Sequence, residues 1–157
     1  KSAEVISAAR RTAELALENN QMDVAISSYQ FIKSYTKVSR YQKLANENLV
    51  NIYLQSKQLD SLYNLTSTWD DLYEVDEKNE FYQKYLQISE EAQQTELVKK
   101  WLQKISINNH LSPVVQQIVI GAEAELKYAQ LLFQEKKHIE LDELLDKTLI
   151  RKIAPNE

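Results

Sequence analysis

The sequence predicts an all-α fold, a solenoid of about four helical hairpins. Three observations carry that reading. Turn-forming residues are scarce: 157 residues hold one Gly, two Pro and no Cys. Apolar residues recur three or four apart from end to end. A hairpin-like unit then repeats at an interval close to 37 residues. A β-sandwich, a barrel or a glycine-rich phosphate loop would need far more glycine. Without cysteine there is no disulfide scaffold, thiolate metal site or cysteine nucleophile.

The first helix is predicted over 2–18. The second, over 22–37, carries Met22, Ala25, Ile26, Tyr29, Ile32 and Tyr35 on one stripe, with Asp23, Ser27, Gln30 and Lys33 between. The third, over 40–56, repeats the pattern with Tyr41, Leu44, Ala45, Leu49, Ile52 and Tyr53. Leu59, Leu62, Tyr63, Thr66, Trp69, Leu72 and Tyr73 predict a fourth over 59–74. After polar Asp76 to Asn79, a fifth over 77–92 carries Phe81, Tyr82, Tyr85, Leu86 and Ile88. Leu97, Val98, Trp101, Leu102 and Ile105 mark a sixth over 95–106. Ser112-Pro113 is a helix start, because Ser caps free amides and Pro lacks the amide that would go unsatisfied. A seventh helix over 113–135 follows, and an eighth over 138–151 carries Ile139, Leu141, Leu144, Leu145 and Leu149. Polar links at 19–21, 57–58, 93–94 and Lys136-Lys137 are short, so consecutive helices should lie antiparallel.

The pairs resemble one another. Residues 17–26, 54–63 and 133–142 each end a helix on an apolar residue, pass a polar turn and re-enter on a small or aliphatic one. Ala25 and Leu62 are 37 residues apart, Val98 is 36 further on and Leu141 another 43. A fixed unit of this length marks a helical solenoid. The sequence resembles the tetratricopeptide repeat family, whose unit is a 34-residue helical hairpin. Asn20 to Tyr29 carries the likeness best, with Ala25 at the family's small position and Tyr29 at its aromatic one. Leu62 and Thr66, and Leu141 and Leu145, take those places in other pairs, and Ala13 and Ala129 match the small first-helix residue. The units are longer than the family's, and the proline that usually ends one is missing. The resemblance implies a right-handed α-α superhelix spanning 1–157 as a single repeat domain. Its hairpins would lie near 2–37, 40–74, 77–106 and 113–151.

In such a solenoid the first helix of each pair lines the concave face. That stripe carries Arg10, Arg11 and Glu14 in the first pair, with Ser7 and Glu18 beside them. In the second it carries Lys43, Glu47, Asn48, Asn51 and Gln55, and in the third Lys84 with Gln83 and Gln87. Chaperone-binding members of the family hold a peptide's terminal carboxylate with Lys, Arg and Asn there. Arg10, Asn48 and Lys84 fall near such positions, but Glu14 would repel a carboxylate. A groove of mixed Arg, Asn, Gln and Glu suits an extended polar peptide or a partner helix instead.

The remaining features read as structural. His110 and His138 lack metal-ligand spacing and suit surface or capping roles. Asp70, Asp71, Glu74, Asp76 and Glu77 lack a calcium loop's spacing and glycine, and Asp76 suits a helix cap. Trp69, Trp101 and most of the nine Tyr lie on core stripes, with Tyr35, Tyr41 and Tyr73 the ones expected partly exposed. Net charge is −4, which argues against nucleic-acid binding. No run of roughly 20 apolar residues predicts a membrane span. The chain starts at Lys1, which suits a piece of a longer protein or a chain that has lost a leader. The compartment stays open between cytoplasm and export, and Asn, Gln and Lys usage fits an exported bacterial protein.

The functional expectation is a non-catalytic scaffold that binds a protein or peptide, with no cofactor and no metal. The alternative is a regulatory module for a short peptide or small ligand, with Gly121 marking close packing or bending. No motif marks a nucleophile or base. The apolar stripe Ile139, Leu144, Leu145 and Leu149 predicts self-association through the last helix.

Overall fold

A computed structural model describes residues 2–153, with side chains through residue 146. Among them are seven α-helices and no strand. In order they are α1 (Ser2–Glu18), α2 (Met22–Tyr35), α3 (Ser39–Gln55), α4 (Leu59–Leu65), α5 (Val75–Glu91), α6 (Thr95–Asn109) and α7 (Val115–Ile153). The chain packs as two compact units, residues 1–74 and 75–157.

Three interhelical turns share one geometry. Asn20, Lys57 and Gln93 adopt left-handed backbone, with φ of 57°, 55° and 56°. After each, a glutamine amide reaches back five residues: Gln21 to the Ala16 carbonyl (2.8 Å), Gln58 to Tyr53 (2.8 Å) and Gln94 to Ser89 (3.0 Å). The left-handed residue bonds three back, as Asn20 does to Leu17 (3.1 Å), Lys57 to Leu54 (3.3 Å) and Gln93 to Glu90 (3.0 Å). This is the Schellman ending, which satisfies carbonyls that a helix end leaves free. Its recurrence at 37 and then 36 residues matches the spacing of Ala25, Leu62 and Val98.

Burial follows the same register. Ala25, Leu62 and Val98 are buried, as are Tyr29, Thr66 and Leu102, and Ile32, Trp69 and Ile105. Fully burying an aliphatic side chain of this size stabilises by about 1.5–3 kcal/mol. In the first unit α1 packs on α2, α2 on α3 and α3 on α4. In the second α5 packs on α6 and α6 on α7.

Several boundaries differ from the sequence expectation. The fourth helix stops at Leu65 and tightens into a 3-10 turn over Thr66–Thr68 instead of running to 74. Three consecutive hydroxyls cause this. Thr66 Oγ1 donates to the Tyr63 carbonyl (2.6 Å), Ser67 Oγ to Asn64 (2.8 Å) and Thr68 Oγ1 to Leu65 (3.3 Å). Side-chain bonds three residues back compete with the helical ladder. Asp76 is not the cap of α5, which already starts at Val75; its carboxylate accepts from the Gln117 amide. Ser112 does bond ahead, accepting from the Val114 amide (3.1 Å), and α7 begins two residues after Pro113.

The larger correction concerns the fourth hairpin, expected at 113–151. There is no turn at Lys136-Lys137, and α7 runs unbroken through both residues. Lysine has good helix propensity, and no Gly, Pro or Asn interrupts residues 122–153. His138 therefore lies within a helix, not beside a turn. Gly121 lets α7 approach α6. A Cβ there would stand 3.0 Å from the Asn109 Cβ. Around that contact Asn79 and Asn109 exchange reciprocal amide bonds of 2.7 Å. Asn108 also donates to Asn79 (2.9 Å) and to the Val75 carbonyl (3.2 Å). Trp101 fills the space between α5 and α6, against Tyr82 and Tyr85, and donates to Ser89 Oγ (3.1 Å).

Candidate binding groove

In the first unit α2, α3, α4 and the turn after it line an open cavity of about 940 Å³. Its walls come from Gln30, Lys33, Ser34 and Lys37 on the α2 side and Ser61, Asn64, Thr68 and Asp71 on the other. Ser39, Gln42, Leu49 and Tyr53 of α3, with Leu65 and Leu72, complete it. The apolar floor and polar rim suit a ligand whose backbone or side chains form hydrogen bonds while part of it is buried.

Lys33 gives the groove its chemistry. It continues the line of Met22, Ile26 and Tyr29 at spacings of four, three and four, which puts a cation at the margin of α2's apolar stripe. The side chain is half-buried, and Nζ donates to Thr68 Oγ1 (3.2 Å). Burial lowers its pKa from the ordinary lysine value. A hydroxyl is a weaker partner for an ammonium than a carboxylate. The site is therefore suited to an incoming anionic group. Gln42 holds the neighbouring backbone, donating to the carbonyls of Lys33 (2.6 Å) and Thr36 (2.5 Å). These bonds satisfy the free end of α2 and fix the turn into α3. Gln30 reaches the Tyr53 hydroxyl across the groove at 3.4 Å.

None of the nine residues expected at a binding surface lines this cavity. Arg10, Arg11 and Glu14 are brought together on α1. Arg10 Nε lies 2.9 Å from Glu14 and Arg11 Nη1 3.8 Å from it. Arg10 and Arg11 remain exposed there, while Glu14 is half-buried. Burial, and then the Glu14 charge, raise the Tyr29 pKa beside them, against a smaller lowering by Arg10. Lys43 lies over the Tyr73 ring, 4.9 Å from its centre. Asn48 bonds back to its own helix at the Leu44 carbonyl (2.8 Å). Glu47, Asn51 and Gln55 are exposed along α3, and Lys84 is exposed on α5 in the second unit. Tyr35 is exposed and Tyr41 and Tyr73 are half-buried, while Trp69 and Trp101 are in the core.

Sequence reasoning passed over Lys33, Gln42, Asn64 and Thr68. Lys33 left a readable signal in its stripe position; the others become neighbours only once three helices have packed. Among the described residues no group of three His, Cys, Asp or Glu side chains is placed to hold a metal ion. Among them, too, no helix is long and apolar enough to cross a membrane. No family model matches the chain, and neither does any curated protein or solved structure.

Proposed function

We propose that this chain is a tetratricopeptide-like interaction scaffold that holds an acidic, extended segment of a protein partner in the groove between α2 and α4. It works by binding alone, with no reaction and no cofactor. The repeated hairpin turn supports the repeat reading. The single observation that carries the binding site is the half-buried Lys33, whose one side-chain hydrogen bond among the described residues is to a hydroxyl, within a cavity of about 940 Å³. Gln30, Gln42, Asn64 and Thr68 supply donors and acceptors for an extended backbone, and Leu49, Leu65 and Leu72 take apolar side chains. The cavity volume also lies in the range of small-molecule sites, which favours a small carboxylate or phosphate as the second reading.

Fluorescence anisotropy with a library of labelled ~10-residue acidic peptides tests the proposal. A binder is expected whose affinity falls about tenfold or more in Lys33→Gln, the loss of one charge-assisted bond, and is largely kept in Lys33→Arg. Binding by carboxylate or phosphate compounds but by no peptide would select the second reading. Peptide binding unchanged in Lys33→Gln would overturn the assignment of the groove.

A further inference from the structure

We infer that α7 pairs antiparallel with α7 of a second copy of this chain, through a face opposite the one that meets α6. The helix carries two seams. Gln117, Gly121, Ala124, Tyr128, Leu131 and Glu135 step by four and three residues, and each is buried or half-buried. Val115, Val119, Ala122, Leu126, Ala129 and Phe133 step the same way two residues out of phase. Two residues correspond to about 200° around a helix, so this second seam lies on the far side. All six of its residues are exposed, Val115 at 74%, Leu126 at 60% and Phe133 at 58%.

The spacing averages 3.5 residues, the repeat of a left-handed coiled coil. With flanking Ile118, Leu132 and Ile139, seven large apolar side chains stand 42–74% open. They offer roughly 700 Å², near the ~800 Å² per partner of a standard interface. On α7's other flank, between residues 116 and 134, Gln116, Glu123, Lys127, Gln130 and Gln134 are exposed.

The seam is complementary to itself in one direction. Set antiparallel about a point between residues 127 and 128, Phe133 lies over Ala122 of the second copy and Leu126 over Ala129 of the second copy. Large residues then meet small ones in the four central layers, with Val119 over Lys136 and Val115 over Glu140 outside them. Ile118 meets Ile139, Glu123 meets Gln130 and Gln116 meets Lys137, so no like charges face each other. A parallel pairing would set Ala on Ala in two layers and Ile118 beside Glu123. Size selects the antiparallel partner over the parallel one.

Sedimentation equilibrium of the full chain over ~10–200 µM tests this, since an interface of this area without a large buried hot spot falls in the micromolar range. A monomer–dimer equilibrium is expected, shifted at least tenfold toward monomer by Leu126→Glu. That position is exposed, so helical circular dichroism should be retained. Val5→Glu, at an exposed apolar site of α1, should leave the dimer intact. Orientation is read by disulfide formation in this otherwise cysteine-free chain. Leu126→Cys mixed with Ala129→Cys should cross-link faster than either alone. A native chain that stays monomeric throughout would overturn the proposal. So would a dimer that Leu126→Glu leaves unchanged, or cross-linking fastest within Leu126→Cys alone.

Discussion

Lys57 and Gln93 occupy left-handed backbone that glycine adopts without steric cost. Lys57→Gly and Gln93→Gly should each stabilise the chain by about 0.5–1 kcal/mol in urea unfolding. Asn20, whose short side chain tolerates this region, should gain less. The buried asparagines divide differently. Asn109 is fully buried and exchanges two bonds with Asn79. Asn46 is as deeply buried, yet both its amide atoms lack a hydrogen-bond partner. Asn109→Ala should therefore cost about 2–3 kcal/mol, because it strands the Asn79 amide, whereas Asn46→Ala should cost less than about 1 kcal/mol. Equal losses for the two in chemical denaturation would contradict this account. Neither asparagine was distinguishable in the sequence: both sit among apolar residues at helical spacing. Whether an amide finds a partner depends on which helix arrives opposite.

At the scale of elements, the first six helices and three of their turns were legible because each turn pairs a polar cluster with a break in the apolar stripe. Residues 66–74 misled because Thr66, Trp69 and Tyr73 keep helical spacing while their backbone tightens and turns. Stripe position reports burial, and Thr66 and Trp69 are indeed buried. It does not report the hydroxyl bonds that end the ladder at Leu65. Lys136-Lys137 misled in the opposite sense. It is polar and lies just beyond apolar Phe133, as the true turns lie beyond Leu17 and Leu54, but neither lysine is followed by the backward glutamine bond of the other turns. Gly121 was read as close packing or bending, and the contact with Asn109 shows close packing. Gly121→Val should cost about 1–3 kcal/mol through overpacking between α6 and α7. A gain in stability, as helix propensity alone would give, would show that the close approach is not made.

At the scale of the whole molecule, the all-helical class and three of the hairpin turns were legible in the sequence, whereas the groove was not. Its lining comes from residues 30–72, spread over three helices and the turn after α4, so no single helix displays it. Of the surface residues singled out by analogy with a concave face, Arg10, Arg11 and Glu14 pair with one another and Asn48 with its own helix, while Lys43 lies over Tyr73 and Glu47, Asn51, Gln55 and Lys84 are exposed. Lys33 makes the groove pH-dependent. Its lowered pKa means that burial disfavours the charged form. That destabilising contribution is present in full below the lowered value and relieved as pH rises through it toward 10.5. An anionic ligand binds the charged form, so affinity should fall as pH rises through the same range. Calorimetry should show proton uptake on binding there, and Lys33→Arg should remove the pH dependence.

The most direct measurement is mapping of NMR amide and side-chain shifts on the full chain during titration with an acidic peptide. The account predicts the largest changes at Lys33, Gln42, Asn64 and Thr68. Changes concentrated instead at Arg10, Asn48 and Asn51, with the groove residues unmoved, would contradict it.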